Sequence, residues 1–234
     1  DVMSLPSAFT LDNIKNVFHD MKYPATFLNT LIATVIGTLG IIVIASMGGY
    51  KMARVKTRYS RFCFLFCIAP MMIPFQSFML TLVNVATTLH INGKIWGLAI
   101  IYWGLGAPMS IFLYQGFAKG IPLELEESAL IDGCNQFQLF TRIIFPMLKS
   151  CTATVTIINV MWIWNDFLLP LLMLGGRKSS KTLQLAAYSF MGQYKMEWQN
   201  IMSAAILIII PALILYLIFQ KSIIKGVVAG AVKG

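Results

Sequence analysis

Residues 26–50 read TFLNTLIATVIGTLGIIVIASMGGY, and no side chain in this stretch carries a charge. As an α-helix the stretch would be about 37 Å long, which is enough to cross a hydrocarbon core of roughly 30 Å. We therefore predict a transmembrane helix here. Its glycines, Gly37, Gly40, Gly48 and Gly49, are small residues that let neighbouring helices approach closely.

Similar apolar runs follow along the chain at residues 62–85, 95–117, 151–174 and 201–219. Only 12% of the 234 residues are charged and 58% are hydrophobic, whereas a soluble domain carries roughly a quarter of its residues as charges. This composition excludes water as the main solvent of the surface. The predicted fold class is all-α: a polytopic transmembrane helical bundle with about five spans.

The basic residues between the runs predict the orientation. Eleven of the 18 Lys and Arg residues lie in the segments 51–61, 119–149 and 221–233, and seven lie in the alternate segments. Because basic residues favour the cytoplasmic side, we predict a cytoplasmic C-terminus and an external N-terminal segment. Basic loops of this kind meet anionic lipid headgroups, so the net charge of +9 does not indicate a nucleic-acid partner.

Residues 1–25 are polar with apolar side chains at helical spacing, among them Ile14, Val17 and Met21. The pattern predicts an amphipathic helix, with Thr10 and Asp12 as candidate caps. Such a helix either lies on the membrane surface or packs on the bundle, and we favour packing.

Residues 120–149 form the longest polar interruption inside the bundle. Pro122 suits the first position of a helix, and three glutamates follow in the opening turn, where the helix dipole favours negative charge. Gly133 supplies a stop. Asn135 and Gln138 have the spacing of a capping box that opens a second helix, and Pro146 closes it. The sequence predicts two short helices joined at a glycine.

A helix-turn-helix that projects from a membrane bundle can seat in a groove of a soluble partner. Apolar residues that could make such contacts are Leu123, Ala129, Leu130, Phe137 and Phe140. From composition alone, a loop with some helical content and no partner is equally compatible.

The spacing of this segment resembles a known motif. Glu127-Ser128-Ala129, Gly133, Ile143 and Phe145-Pro146 resemble the EAA loop of permeases of ATP-binding-cassette importers, in which E-A-A is followed by three residues, G, nine residues, I, any residue and L-P. Ser128 replaces an alanine and Phe145 a leucine. Asp132 before Gly133 also fits.

The resemblance extends over nearly the whole chain. The segments FTLDN (9–13), WNDF (164–167) and AGAVKG (229–234) resemble the carbohydrate branch of the family, in particular the smaller permease of maltose-type importers. That resemblance implies one further span upstream of this sequence. It divides the chain into an extracytoplasmic amphipathic segment (1–25), a transmembrane permease domain (26–220) with its coupling loop (120–149), and a cytoplasmic tail (221–234).

In that family the EAA loop docks in a cleft of an ATPase subunit. The resemblance therefore implies a coupling role for a set of loop residues: Glu124, Glu127, Ser128, Ala129, Asp132, Gly133, Ile143 and Pro146. It implies that Glu127 pairs with a basic ATPase residue, that Ala129 packs near the partner and that Gly133 holds the turn. The implied partners are a sister permease, an ATPase dimer that carries ATP and Mg²⁺, and an extracytoplasmic solute-binding protein. The implied location is the bacterial inner membrane. The tail would insert between the ATPase subunits, and a frayed terminus is the alternative explanation of its small residues.

Asp166 is the one acid inside a predicted span. Ionisable groups at membrane depth line cavities or meet a partner, so Trp164, Asn165 and Asp166 are candidates for a sugar path. An interhelical hydrogen bond of Asp166, to Asn165 or a neighbouring span, explains the acid equally well, and we favour it.

Other classes of function fit less well. A stand-alone secondary transporter would be expected to show internal repeats or several buried charges, and an intramembrane enzyme a motif such as HExxH or GxSxG. The cysteines form no CxxC pair, and we predict neither a metal site nor a catalytic one. Within importers, a permease for amino acids or polyamines remains the alternative to one for sugars.

Overall fold

The computed structural model describes residues 11–175, 180–191 and 198–231, and the regular elements in these ranges are helical, as predicted. A 3₁₀ turn (Ala69–Met72) extends α3, and a π turn (Leu139–Ile144) joins α7 to α8. In chain order the α-helices are α1 (Asp12–Asp20), α2 (Tyr23–Arg54), α3 (Arg58–Ile68), α4 (Phe75–Thr88), α5 (Ile95–Lys119), α6 (Glu124–Ile131), α7 (Gln136–Gln138), α8 (Phe145–Met147), α9 (Lys149–Asn165), α10 (Leu168–Leu174), α11 (Leu183–Tyr188) and α12 (Trp198–Ala231).

The centre of the molecule is the pair α2 and α5, which pack along their length. Close approach depends on small residues: a Cβ added to Gly49 would lie 2.7 Å from the Tyr114 Cβ and 2.9 Å from the Gln115 backbone nitrogen. Tyr114 is fully buried at this contact. The predicted role of the α2 glycines is therefore confirmed at Gly49.

The second apolar run is not one continuous helix, and its status as a single span stays a prediction. The helix segments Arg58–Met72 and Phe75–Thr88 meet at an angle of 106°. Between them Ile73 is extended (φ −97°, ψ 119°), because a residue before proline avoids the helical conformation. Pro74 occupies the cap position of α4. The hydropathy of residues 62–85 is continuous, but the backbone is not.

The fourth apolar run, residues 151–174, is also divided. Helix α9 ends at Asn165, Asp166 is extended (φ −71°, ψ 132°), and α10 begins at Leu168. Pro170 explains the break, since proline has no N–H for the carbonyl four residues earlier and its ring collides with that carbonyl. The Asp166 Oδ1 instead accepts the Leu168 N–H at 3.1 Å.

In the described ranges, α2 and α5 are long and apolar enough to span a membrane alone, and the number of spans rises to four if each of two bent helix pairs counts as one. The last predicted run, 201–219, lies inside α12 (Trp198–Ala231), which extends past it at both ends. A total of about five spans stays a prediction, as do the three parts assigned to the chain.

Helix α1 packs on the bundle, the alternative favoured from the sequence. Val17 and Met21 are buried in a cluster with Trp164 and residues of α11 and α12. Asp12 lies in the first turn, after Leu11, which occupies the cap position without a side-chain hydrogen bond. The predicted cap by Asp12 is therefore wrong, and Thr10 lies outside the described residues.

Candidate functional site

The predicted helix-turn-helix is present between α5 and α9. Its first helix, α6, begins at Glu124, two residues after Pro122, so the predicted start at Pro122 is corrected. Glu124, Glu126 and Glu127 occupy the first turn, where the partial positive charge of the helix end favours carboxylates.

Gly133 makes the turn after α6. Its φ is +86°, a left-handed conformation that costs other residues roughly 1–2 kcal/mol. The Gly133 N–H donates to the Leu130 carbonyl at 3.1 Å, which closes the end of the helix. A Cβ placed on Gly133 would meet nothing within 4 Å. Glycine is therefore needed here for its backbone conformation, not for space.

The second helix opens with the predicted capping box. The Gln138 N–H donates to the Asn135 Oδ1 at 2.9 Å, and the Asn135 N–H donates to the Gln138 Oε1 at 3.0 Å. The helical segment Gln136–Met147 then meets α9 at an angle of 75°. It ends one residue after Pro146, close to the predicted stop.

A buried ion pair fixes α6 to the end of α2. The Glu126 Oε1 lies 2.5 Å from the Arg54 Nε, and the Glu126 Oε2 accepts the Tyr50 hydroxyl at 2.7 Å. Arg54 also donates from Nη2 to the Ile121 carbonyl at 2.9 Å. All charged oxygens of this glutamate are therefore satisfied inside the chain. We name Tyr50, Arg54 and Glu126 the anchor cluster.

The anchor cluster places the segments 51–61 and 120–149 on one side of the bundle, as their charges predicted. The opposite end of α2 contacts the segment around α11: the Thr30 Oγ1 accepts the Leu183 N–H at 2.9 Å, and the Asn29 Nδ2 donates to the Lys181 carbonyl at 3.0 Å.

Sequence reasoning missed Glu126, because three glutamates in one turn give no indication of which one points inward. Helical spacing could have indicated it. Glu126 and Ala129 are three residues apart and share one face of α6, and Tyr50 and Arg54 are four residues apart and share one face of α2. The other two glutamates of this turn, Glu124 and Glu127, were predicted as coupling residues, and both are exposed.

The outer face of the helix-turn-helix combines acids with exposed apolar side chains. Ser128, Asp132, Gly133 and Pro146 are exposed as well, and Ile143 is half-buried. Exposed apolar residues of this face are Leu123, Leu125, Leu130, Ile131 and Phe137. Ile131 is 85% exposed and Phe137 70%. A cluster of this kind marks an interaction surface.

Two predicted contact residues lie elsewhere. Ala129 is only 4% exposed because it faces this chain's own bundle beside Glu126. Phe140 is half-buried and packs against the Tyr50 ring, with centroids 5.6 Å apart. Both residues shape the base of the helix-turn-helix, and the structure does not place them on its outer face.

The structure separates the three candidate path residues. The Asp166 Oδ2 accepts the Tyr102 hydroxyl of α5 at 2.7 Å, so this acid makes the favoured interhelical hydrogen bond, with Tyr102 as the donor. Trp164 is buried and packs edge-on against Phe27. Asn165 is exposed, and its Nδ2 donates to the Met161 carbonyl at 2.8 Å.

Residues 40–228 match the model of a protein family described as "Binding-protein-dependent transport system inner membrane component". The chain belongs to this family. It is a permease subunit of an ATP-binding-cassette importer and a multi-pass membrane protein, as the resemblance of its helix-turn-helix implied. The match covers the second half of α2 and all helices from α3 to α11, and it therefore includes the anchor cluster.

Curated relatives of this permease agree over nearly its full length. It is 39% identical over 233 residues to the "Probable starch degradation products transport system permease protein AmyC" of Thermoanaerobacterium thermosulfurigenes, which covers 100% of this chain and 84% of that protein. It is 38% identical to the "Multiple sugar-binding transport system permease protein MsmG" of Streptococcus mutans, with 98% and 83% covered. The "Melibiose/raffinose/stachyose import permease protein MelC" of Bacillus subtilis is 32% identical, again with 98% and 83% covered.

A solved structure shares the fold of the permease. A chain of a bacterial ABC transporter involved in the import of the acidic polysaccharide alginate superposes with a TM-score of 0.78. The alignment covers 93% of this chain and 81% of that chain at 22% identity. The two chains therefore share one fold.

Proposed function

We propose that this permease forms, with a sister permease, the transmembrane path for a sugar or oligosaccharide. An extracytoplasmic binding protein delivers the solute, and a dimer of ATPase subunits on the cytoplasmic side supplies the energy and holds ATP and Mg²⁺. The C-terminus and the helix-turn-helix of residues 120–149 face the cytoplasm.

The observation that carries this proposal is the construction of the helix-turn-helix. Its outer face presents Glu127 and exposed apolar residues such as Ile131 and Phe137, while its inner face is fixed to α2 through the buried Glu126–Arg54 pair. A partner that binds the outer face therefore acts on α2 directly. An exposed loop without a partner would need neither the apolar surface nor the buried attachment.

The mechanism follows from these contacts. Two ATPase subunits that close around ATP bring their docked helix-turn-helices together. Each α6 transfers this movement to α2 through the anchor cluster, and α2 moves with α5 because the two are closely packed. Nucleotide binding in this way biases a bundle between two arrangements.

Support for sugars comes from the relatives, whose names describe starch degradation products, multiple sugars and melibiose, raffinose and stachyose. Exposed aromatic and amide side chains near the Asp166 break, Trp162 and Asn165, offer the stacking and hydrogen bonding that sugar hydroxyls and rings use. Trp162 packs edge-on against Tyr102, with centroids 5.4 Å apart.

The test compares two charge reversals in the assembled importer. Glu127→Lys reverses an exposed acid on the outer face of the helix-turn-helix, and Asp20→Lys reverses an exposed acid of α1 at the other end of the bundle. We expect the ATPase and the sister permease to co-purify with the unchanged chain and with Asp20→Lys, and the ATPase to be lost from Glu127→Lys.

A chain that purifies as a stable homo-oligomer, indifferent to both substitutions, would show that it works alone as a channel or secondary transporter. The solute is identified separately, by ATP-driven uptake into proteoliposomes of labelled oligosaccharides, amino acids and polyamines. Uptake of an amino acid or polyamine without uptake of any sugar would overturn the sugar assignment and leave the importer assignment intact.

A further inference from the structure

A cleft of about 1140 Å³ lies beside the anchor cluster. Its walls are the end of α2, the beginning of α3, the end of α5 and the segment that precedes α6. Leu123 and Glu124 at the start of the helix-turn-helix line its edge, whereas Glu127, Ile131 and Phe137 of the outer face do not.

The cleft is strongly basic. Lys56, Arg58, Arg61 and Lys119 line it in addition to Arg54, and Glu124 is the only carboxylate among the described residues that do so. Arg54 is neutralised by Glu126. The other four have no ion-pair partner in the part of the chain that the structure describes. Four cations held in one cleft repel one another, and a bound anion would remove that repulsion.

The beginning of α3 adds to this positive field. Thr57 caps the helix, and its side chain accepts the Ser60 N–H at 3.1 Å, which leaves other first-turn N–H groups for a ligand. Helix N-termini with free N–H groups favour phosphate. Arg58 and Arg61 lie on this first turn, and arginine binds phosphate oxygens in a bidentate manner.

The same cleft has an apolar wall formed by Met52, Phe64 and Leu65. It continues onto the outer surface of α3, where Phe62 and Phe66 are exposed, Phe66 to 71%. A free phosphate ion would make no contact with this apolar surface. A phospholipid would use the cationic residues for its phosphate and the apolar surface for its acyl chains.

We propose that this cleft binds the headgroup of an anionic phospholipid of the inner leaflet. The phosphate lies among Arg58, Arg61, Lys56 and Lys119, and an acyl chain lies along Phe64 and Leu65. The inference depends on the predicted cytoplasmic location of the cleft and not on the transported solute. Because the cleft adjoins Ile121 and Glu124, bound lipid braces the segment that leads into α6.

The experiment is native mass spectrometry of the importer in detergent, titrated with phosphatidylglycerol or with phosphatidylcholine of the same acyl chains. We expect one phosphatidylglycerol to be retained beyond the phosphatidylcholine count. The double variant Arg58→Gln/Arg61→Gln should bind phosphatidylglycerol roughly tenfold or more weakly, because each basic residue near a headgroup contributes to attraction.

Two controls separate the site from general charge and from misfolding. Arg142→Gln/Lys149→Gln removes two exposed cations of the same predicted side outside the cleft and should leave binding unchanged. Arg58→Lys/Arg61→Lys keeps the charges and should restore most of it. Equal loss of lipid in Arg58→Gln/Arg61→Gln and Arg142→Gln/Lys149→Gln, or equal retention of both lipids by the unchanged chain, would overturn the proposal.

Inorganic phosphate is the competitor that identifies the source of the anion. If phosphate displaces the lipid at low concentration and stabilises the protein equally well, the site takes a free anion and the lipid assignment is wrong. If Arg58→Gln/Arg61→Gln loses the ATPase subunit while its lipid count stays the same, the cleft is a protein contact, which also contradicts the proposal.

Discussion

Glu126 differs from its neighbours in what surrounds it, not in its chemistry. Glu124 and Glu127 end in water, whereas both oxygens of Glu126 are bonded to α2 through Arg54 and Tyr50. A buried ion pair stabilises little relative to apolar residues, but removal of one partner leaves an uncompensated charge. The position of the residue in the helical turn therefore decides whether a glutamate joins two helices or stays exposed.

Glu126→Ala should reduce the free energy of unfolding by roughly 3 kcal/mol, because the half-buried Arg54 is left unpaired. Glu124→Ala, at an exposed position in the same turn, should change it by less than about 0.5 kcal/mol. Denaturant unfolding of the purified permease measures both.

A double-mutant cycle tests the interpretation of that loss. Arg54→Met/Glu126→Met should lose much less stability than the two single changes added together. In proteoliposomes the same double variant should hydrolyse ATP without matching uptake, since α6 is no longer held to α2. If the stability losses of the two single variants add up in the double variant, and ATP hydrolysis stays coupled to uptake, the anchor cluster does not connect α6 to α2 in the way proposed.

Asp166 supplies a second prediction at this scale. In Asp166→Asn the amide oxygen can accept the Leu168 N–H and the amide nitrogen can donate to the Tyr102 hydroxyl, so stability and uptake should both be retained. Asp166→Ala removes both bonds and should cost about 1–3 kcal/mol. If Asp166→Asn unfolds normally but abolishes uptake, the carboxylate charge acts in the path instead.

At the scale of elements, the sequence was sufficient to predict features that are formed by residues close together in the chain. The capping box of Asn135 and Gln138 and the turn at Gly133 involve residues a few positions apart, and both were predicted. The breaks at Pro74 and Asp166 were missed because hydropathy is summed over a window and does not register one residue with extended backbone. Pro170, four residues after Asp166, was the available signal.

Gly133→Ala tests the turn. An alanine there meets no atom within 4 Å, so the expected loss of roughly 1–2 kcal/mol comes only from the left-handed backbone. ATPase association should weaken with it. Gly116→Ala in α5, which also meets nothing within 4 Å, should be neutral or stabilising. If the two substitutions weaken association with the ATPase equally, the left-handed turn at Gly133 has no special role in that association.

Adjacent glycines of α2 test its contact with α5. Gly49→Ala would place its Cβ 2.7 Å from the Tyr114 Cβ, and overpacking of this kind typically costs about 1–3 kcal/mol. Gly48→Ala would reach Ile111 only at 4.0 Å and should be tolerated. The measurement is thermal unfolding in detergent, and we expect Gly48→Ala to unfold at a higher temperature than Gly49→Ala.

For the whole molecule, composition alone predicted a membrane protein, and the loop charges predict an orientation that stays a prediction. What the sequence could not supply was the assembly of distant parts: Glu126 meets Arg54 from 72 residues away, and Asp166 meets Tyr102 from 64 residues away. Such partners depend on how helices pack, and no pattern within either segment encodes the pairing.

The orientation is tested by labelling with a membrane-impermeant maleimide. In a background with the four native cysteines replaced, Ser128→Cys should react only when the cytoplasmic side is accessible, and Asp20→Cys only from outside. Both positions are exposed in the chain. The reverse pattern would invert the predicted topology.

The attachment of α6 to the last turn of α2 has a mechanical consequence. With 32 residues, α2 is a rigid rod about 48 Å long. It is held by Glu126 at one end and bonded to Lys181 and Leu183 near the other. A tilt of about 10° about its inner end would carry the outer end through about 8 Å for that length. The helix can thus act as a lever arm, in which a small rotation at the end held by Glu126 becomes a large displacement at the end bonded to Leu183.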